Sequence, residues 1–332
     1  MKSSALGTLI LTLLSLLLCW VAVSEGIGRM NVHANETGIY MLAYLLCFLC
    51  TLIPILELSI FMSRKNIDTL YSVPLKKPAL ALAHYISGMI QIFTVYSVTF
   101  LSVYIHLELQ TNYFRLEYMG GYYLLSLLFA LVAYSVFMFL FMQANTVTDG
   151  ILFFALWTLG MLLVELAMGN ELWDFAPDIM PSASSKCRAG IGWIEIYSPI
   201  DRLTVIFRSF IEEKNNDSSI TQYAPIYMQQ IYMFFVWVLL GALAAVGYFV
   251  SFIRKSADRI GEISDSWFGY KLMIPVIGYV CLIDCDGLHG ETVLVFIAML
   301  AGYVIYRRGF KLKVWDYIMI ACGLPFVIVG ML

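Results

Sequence analysis

The residues best placed to do chemistry in this sequence are ionisable side chains inside long apolar runs. Glu57 lies in the run 38–62, His84 and His106 in the run 79–106, and Glu165 in the run 150–168. A charge at membrane depth costs about 2.5–3.5 kcal/mol on insertion scales and normally faces protein or a water-filled path. Glu57, Glu165 and His84 are therefore candidate pathway or coupling groups. Interfacial snorkelling or a packing hydrogen bond is the simpler account of the histidines and of Glu165. Glu57 stands apart, because it comes just before a basic loop and can pair with a cation on that loop or on the following span.

A second constellation runs from Cys281 through Cys285, Asp286 and His289 to Glu291. Thiol, imidazole and carboxylate groups at short spacing can ligate zinc. The gap between the two cysteines lacks the pairing of a structural site, and a polar hairpin with glycines suits a membrane surface anyway, so no metal is expected. Other chemistries lack their residues. The chain has no Gly-Lys pair, hence no GxxxxGK[ST] phosphate loop, and no HExxH, GxSxG or DDxxD segment. ATP hydrolysis by a phosphate loop of its own is excluded.

The elements that must position these residues follow from composition. Of 332 residues, 61% are hydrophobic and 13% charged, against about a quarter charged in a soluble domain. A helix needs about 20 apolar residues to cross a bilayer. Runs such as LLSLLFALVAYSVFMFLFM are apolar on every face rather than alternating, which excludes a barrel. The expected fold is an all-α polytopic membrane bundle with nine spans, near 4–24, 38–62, 79–106, 119–143, 150–168, 228–253, 269–285, 291–306 and 314–332. The first run also meets the loose description of a signal peptide, but its length favours a retained helix. Most of the seven cysteines fall inside spans, where they pack as small apolar residues. A net charge of −3 without a basic tract gives no sign of nucleic acid.

Orientation follows from Lys and Arg in the short connections, which are richer on the cytoplasmic side. With the N-terminus cytoplasmic, the inner connections carry Arg64, Lys65, Lys76 and Lys77, then Arg254, Lys255, Arg259 and Lys271, then Arg307, Arg308, Lys311 and Lys313. The outer ones carry only Arg29 and Arg115. The loop Gln143–Asp149 has no basic residue and adds nothing. The long polar region 169–227 is then extracellular. Within it, Ser198-Pro199-Ile200-Asp201 reads as a helix start, followed by an apolar stripe of Leu203, Ile206, Phe207, Phe210 and Ile211.

The loop NIDTLYSVPLKK, 66–77, places Ile67, Leu70 and Tyr71 at i, i+3 and i+4, on one face of a short helix. Pro74 stops that helix, which is too short to be stable alone. It has to dock, either on a partner or on the bilayer interface with its lysines among anionic headgroups.

SRKNIDTLYSVPLKKPAL resembles the "ID…hSLPI+R" segment of bacterial ABC-2-type transporter permeases, the multi-helix subunits that partner a separate ATPase. YSPIDRL after the fifth span, IRKSADRIGE after the sixth and the basic turn YRRGFK before the last are similar to that family's segments at corresponding places. Asp258 and Gly261 fit its "SE.aG" pattern only in part, and Val73 stands where leucine is usual. The resemblance implies a six-helix ABC-2 core over 1–253, with a coupling loop at 63–78 and the extracellular region 169–227. A connector and three extra spans would follow over 254–332.

It also implies that Ile67, Asp68, Leu70, Tyr71, Pro74, Lys76 and Lys77 engage a cytoplasmic ABC ATPase that binds ATP and Mg²⁺, this chain itself binding no cofactor. Spans two and five would line the pathway, bringing Glu57 and Glu165 near it. The pathway would lie between this permease and a second one, identical or related, in a bacterial plasma membrane, usually for export. Two other readings remain open from the residues. One is a membrane enzyme acting on lipid or peptide through Glu57, His84 or the Cys281–Glu291 cluster. The other is a sensor whose region 169–227 recognises an extracellular ligand such as a peptide antibiotic.

Overall fold

The computed structural model describes residues 2–27, 32–62, 76–111, 116–157, 228–255, 261–262, 264–283, 290–307 and 309–325. Regular structure among them is helical throughout, without a strand. Helices satisfy every backbone N–H and C=O within their own segment, which lipid demands. In chain order they are α1 (Lys2–Ile27), α2 (Val32–Ser59), α3 (Lys77–Thr111), α4 (Leu116–Met142), α5 (Val147–Trp157), α6 (Met228–Arg254), α7 (Leu272–Ile283), α8 (Gly290–Arg307) and α9 (Val314–Ala321).

Among the described residues, four helical stretches are long and apolar enough to cross a membrane: Leu42–Met62, Lys77–His106, Tyr123–Met142 and Trp237–Arg254. Shorter apolar helices at Gly7–Trp20, Val147–Trp157 and Thr292–Arg307 overlap three more of the expected spans, the second beginning three residues before its span and the third ending one residue after. The chain is thus a helical protein suited to multiple membrane crossings. α7 has 12 residues and α9 has 8. At 1.5 Å per residue, α7 covers about 18 Å of a hydrocarbon core about 30 Å thick.

The chain divides into two compact units, Met1–Phe139 with Pro199–Ser256 and Leu140–Ser198 with Ala257–Leu332. In the first, α1, α2 and α3 pack on one another and α3 packs on α6. Ser15 of α1 and Thr99 of α3 share a buried hydrogen bond of 2.8 Å, a polar link of the kind that replaces the hydrophobic effect between helices in lipid. α4 approaches α3 closely at Gly88, where a Cβ would run into the hydroxyl of the fully buried Tyr134. Across α4 and α6, Phe129 stacks on Trp237 with centroids 4.7 Å apart.

In the second unit, α8 packs on both α7 and α9. A π turn, Trp267–Lys271, leads into α7. Pro275 has no N–H to give the carbonyl of Lys271 four residues back. The Tyr303 hydroxyl donates to that carbonyl instead, at 2.9 Å. The segment without basic residues, 143–149, expected as a loop throughout, is a turn only to Thr146, its last three residues opening α5, and it anchors the segment after α6. Ser264 and Ser266 donate to the carbonyl and side-chain oxygens of Gln143 at 2.6 and 2.8 Å, and Tyr270 donates to Asp149 at 2.8 Å. Gly261, at φ 88°, gives its N–H to Asn145. That left-handed backbone is the physical reason for a glycine there.

Candidate functional site

Among the described residues of the first unit, Glu57 is the centre of a cluster of four polar side chains. It sits in the last turns of α2, just after Pro54, whose missing N–H leaves the carbonyl of Cys50 without its helical donor. The chain then tightens into a 3₁₀ turn at Ile60–Met62 before the loop 63–75. On the far side of that loop, α3 carries His84, Ser87 and Gln91 at i, i+3 and i+7, which places all three on one face.

That face closes on the carboxylate. His84 Nδ1 lies 2.7 Å from Glu57 Oε2, while Ser87 Oγ and Gln91 Nε2 donate to Oε1 at 3.0 and 2.7 Å. Gln91 Nε2 also lies 3.3 Å from Ser87 Oγ, so the donors support one another. The Glu57 and His84 side chains are 11% and 20% exposed. The ring of Phe61 meets His84 edge to face at 4.7 Å and continues onto Phe252 of α6 at 5.1 Å. A second polar rung follows along α3, where Tyr85 and Ser135 of α4 share a 2.6 Å hydrogen bond. Nearby, Tyr248 of α6 donates to the carbonyl of Ala81 at 3.3 Å.

The result is a clamp. One carboxylate on the helix entering the basic loop is held by three side chains on the helix leaving it. Charge-assisted hydrogen bonds of this kind are roughly twice as strong as neutral ones. The pair of His84 and Glu57 also has the form of an imidazole oriented by a carboxylate, as in a general base. Among the described residues no serine or cysteine is hydrogen-bonded to the other ring nitrogen of His84.

Lys76 and Lys77 begin α3. The carbonyl of Lys76 accepts the N–H groups of Ala79 and Leu80 at 2.9 and 3.1 Å, and Pro78 occupies the first turn, where no helical donor is required. Lys77 Nζ donates to the carbonyl of Lys255 at 3.3 Å, fastening the start of α3 to the end of α6. Burial pushes the Lys255 ammonium down to about 8.

Ile67, Asp68, Leu70, Tyr71 and Pro74 lie outside the described residues, as do Glu165, the region 169–227, and Cys285, Asp286 and His289. His106 packs edge to face on Trp20 with centroids 6.4 Å apart, a helix-packing contact between α3 and α1. No group of three or more metal-ligating side chains occurs among the described residues.

Ser87 and Gln91 escaped sequence reasoning, although their spacing from His84 along a span facing Glu57 was the available signal. In the second unit, Asp316 is 3% exposed and takes a bidentate grip from Arg307, with two bonds of 3.0 Å. It also accepts the N–H of Lys313 at 2.9 Å, so one buried carboxylate caps α9 and ties it to α8. Asp265 lies beside Lys271 and Arg307. Burial raises its carboxyl, but the hydrogen bond and charge of Lys271 outweigh that and hold it below the usual range.

Comparison with protein-family models, curated proteins and solved structures found no match to this chain.

Proposed function

We propose that this chain is the membrane-spanning permease subunit of an ABC-2-type transporter, an exporter driven by a separate cytoplasmic ATPase. The Glu57 clamp carries this reading. A loop that receives force from a soluble motor needs its two ends tied together. Otherwise a push on the loop bends one helix against the other and never reaches the bundle. Glu57 with His84, Ser87 and Gln91 makes that tie between the inner turns of α2 and the start of α3. Pro54 weakens α2 immediately beyond it, a suitable place for the tied segment to swing.

In this account Ile67, Leu70 and Tyr71 form an apolar knob in a groove of the ATPase, with Asp68 beside it and Pro74 ending the short helix. Lys76 and Lys77 form its basic flank. ATP and Mg²⁺ are bound by the partner, and a second permease completes the pathway, with Glu57 and Glu165 near its lining. The excess of Lys and Arg on alternate connections supports a cytoplasmic N-terminus in a bacterial plasma membrane.

A photo-crosslinking amino acid in place of Tyr71 tests the docking in native membranes. The expected product is an adduct with a Walker-motif ATPase. Adducts with lipid alone would mean that the knob rests on the bilayer and would remove the coupling role.

A further inference from the structure

Cations at one end of the second unit divide into two kinds. Lys271 and Arg307 are held by carboxylates, Lys271 Nζ at 2.6 Å from Asp265 and Arg307 bidentate on Asp316. Lys311 and Lys313, in the turn between α8 and α9, are exposed, and neither ammonium comes within ion-pair distance of a carboxylate among the described residues, although the charge of Lys313 reaches Asp265 and Asp316 from beyond that distance. Their apolar neighbours are exposed as well, Phe310 at 90%, Val314 at 74% and Trp315 at 61%. The ring of Trp315 meets that of Trp267 edge to face, 6.1 Å between centroids.

This composition belongs to a membrane–water interface. Indole rings combine an apolar body with a polar N–H and collect at headgroup level, and lysines reach past them to the phosphates. Apolar side chains of the adjoining helices are exposed as well, Ile305 of α8 and Ile318 of α9 among them. Exposed apolar and indole side chains thus stand in the same turn as two exposed lysines, neither in an ion pair among the described residues, with Lys313 partly balanced by the charges of Asp265 and Asp316.

We propose that the turn between α8 and α9 is a binding site for an anionic phospholipid. Lys311 and Lys313 take the phosphate, while Trp267, Phe310 and Trp315 lie against the glycerol and upper acyl region. The inference rests on membrane embedding alone and is independent of the transport reading.

The test uses the full-length protein in nanodiscs containing brominated phosphatidylglycerol or brominated phosphatidylcholine. The readout is quenching of the emission that disappears on Trp315→Phe. Each lysine near an anionic surface contributes about fivefold in association. Phosphatidylglycerol should quench at lower mole fraction than phosphatidylcholine, and that preference should fall by about fivefold with Lys311→Ala and again with Lys313→Ala. The double Lys→Arg variant should keep the preference, and quenching by phosphatidylcholine should be the same in every variant, reporting an intact fold. Equal quenching by the two lipids in the unmodified protein would overturn the proposal. So would a preference that survives both alanines. Absence of quenching by either lipid would mean that a protein partner covers this face, and the lipid site would be refuted in that case too.

Discussion

Replacing Glu57 by alanine removes one acceptor group and three hydrogen bonds from a site where the side chain is 11% exposed. Interhelical hydrogen bonds in membranes average about 0.6 kcal/mol, with a ceiling near 1.7. Three of them give roughly 2 kcal/mol at the average and about 5 at the ceiling. The lower figure applies, because Ser87 and Gln91 can still bond to each other across 3.3 Å. His84→Ala removes one of the three. The double variant should then lose less than the sum of the singles, with a coupling of about 0.6 kcal/mol, the average for one such bond. The assay is reversible unfolding of the purified chain in mixed micelles, following the four variants of the cycle. A coupling within about 0.3 kcal/mol of zero would show that His84 and Glu57 do not act on each other, and the clamp would lose its principal contact.

Gly88→Ala should destabilise the first unit by about 1–3 kcal/mol through overpacking against Tyr134. Tyr134→Phe, by removing the hydroxyl that a Cβ meets first, should restore part of that loss in the same unfolding assay. Asp316→Asn leaves Arg307 with only the more distant, exposed Asp265 as a carboxylate partner, and should cost about 1.5–3 kcal/mol, the range of a hydrogen bond to a charged group. Limited proteolysis of the turn between α8 and α9 should detect it as faster cleavage. Burial holds Lys255 near 8 against an ordinary value of 10.5, so between those limits the unfolded chain binds more protons than the folded one. Stability should therefore rise with pH from about 8 to 10.5 and then level off, and Lys255→Met should flatten that rise.

The helical membrane class was legible from composition because apolarity on all faces is a property of the chain itself. Glu57 was legible as an anomaly, a carboxylate in an apolar run next to a basic loop. Its partners were not, because serine and glutamine are ordinary in spans. Only the packing of α2 on α3 reveals that the face bearing His84, Ser87 and Gln91 converges on it. The grip of Arg307 on Asp316 was hidden for a similar reason, since α8 and α9 must first turn back on each other across the basic loop. Segment 143–149 carries no positive charge and so gives no orientation signal. Its role lies in hydrogen bonds that Gln143, Asn145 and Asp149 accept from the segment after α6, which charge counting does not register. α7 is entered through a π turn at Trp267–Lys271 and carries Pro275 in its first turn, features that hydropathy does not register.

The central claim is mechanical, that the loop between α2 and α3 transmits work from a nucleotide-driven partner. Gentle affinity purification of the full-length chain from its native membrane, followed by an ATP hydrolysis assay of the eluate, tests it most directly. The account predicts vanadate-sensitive hydrolysis by a co-purified Walker-motif ATPase, lost with Leu70→Asp together with Tyr71→Asp while membrane insertion stays normal. An ATPase fully retained by that double variant, or a native eluate with no ATPase at all, would contradict it.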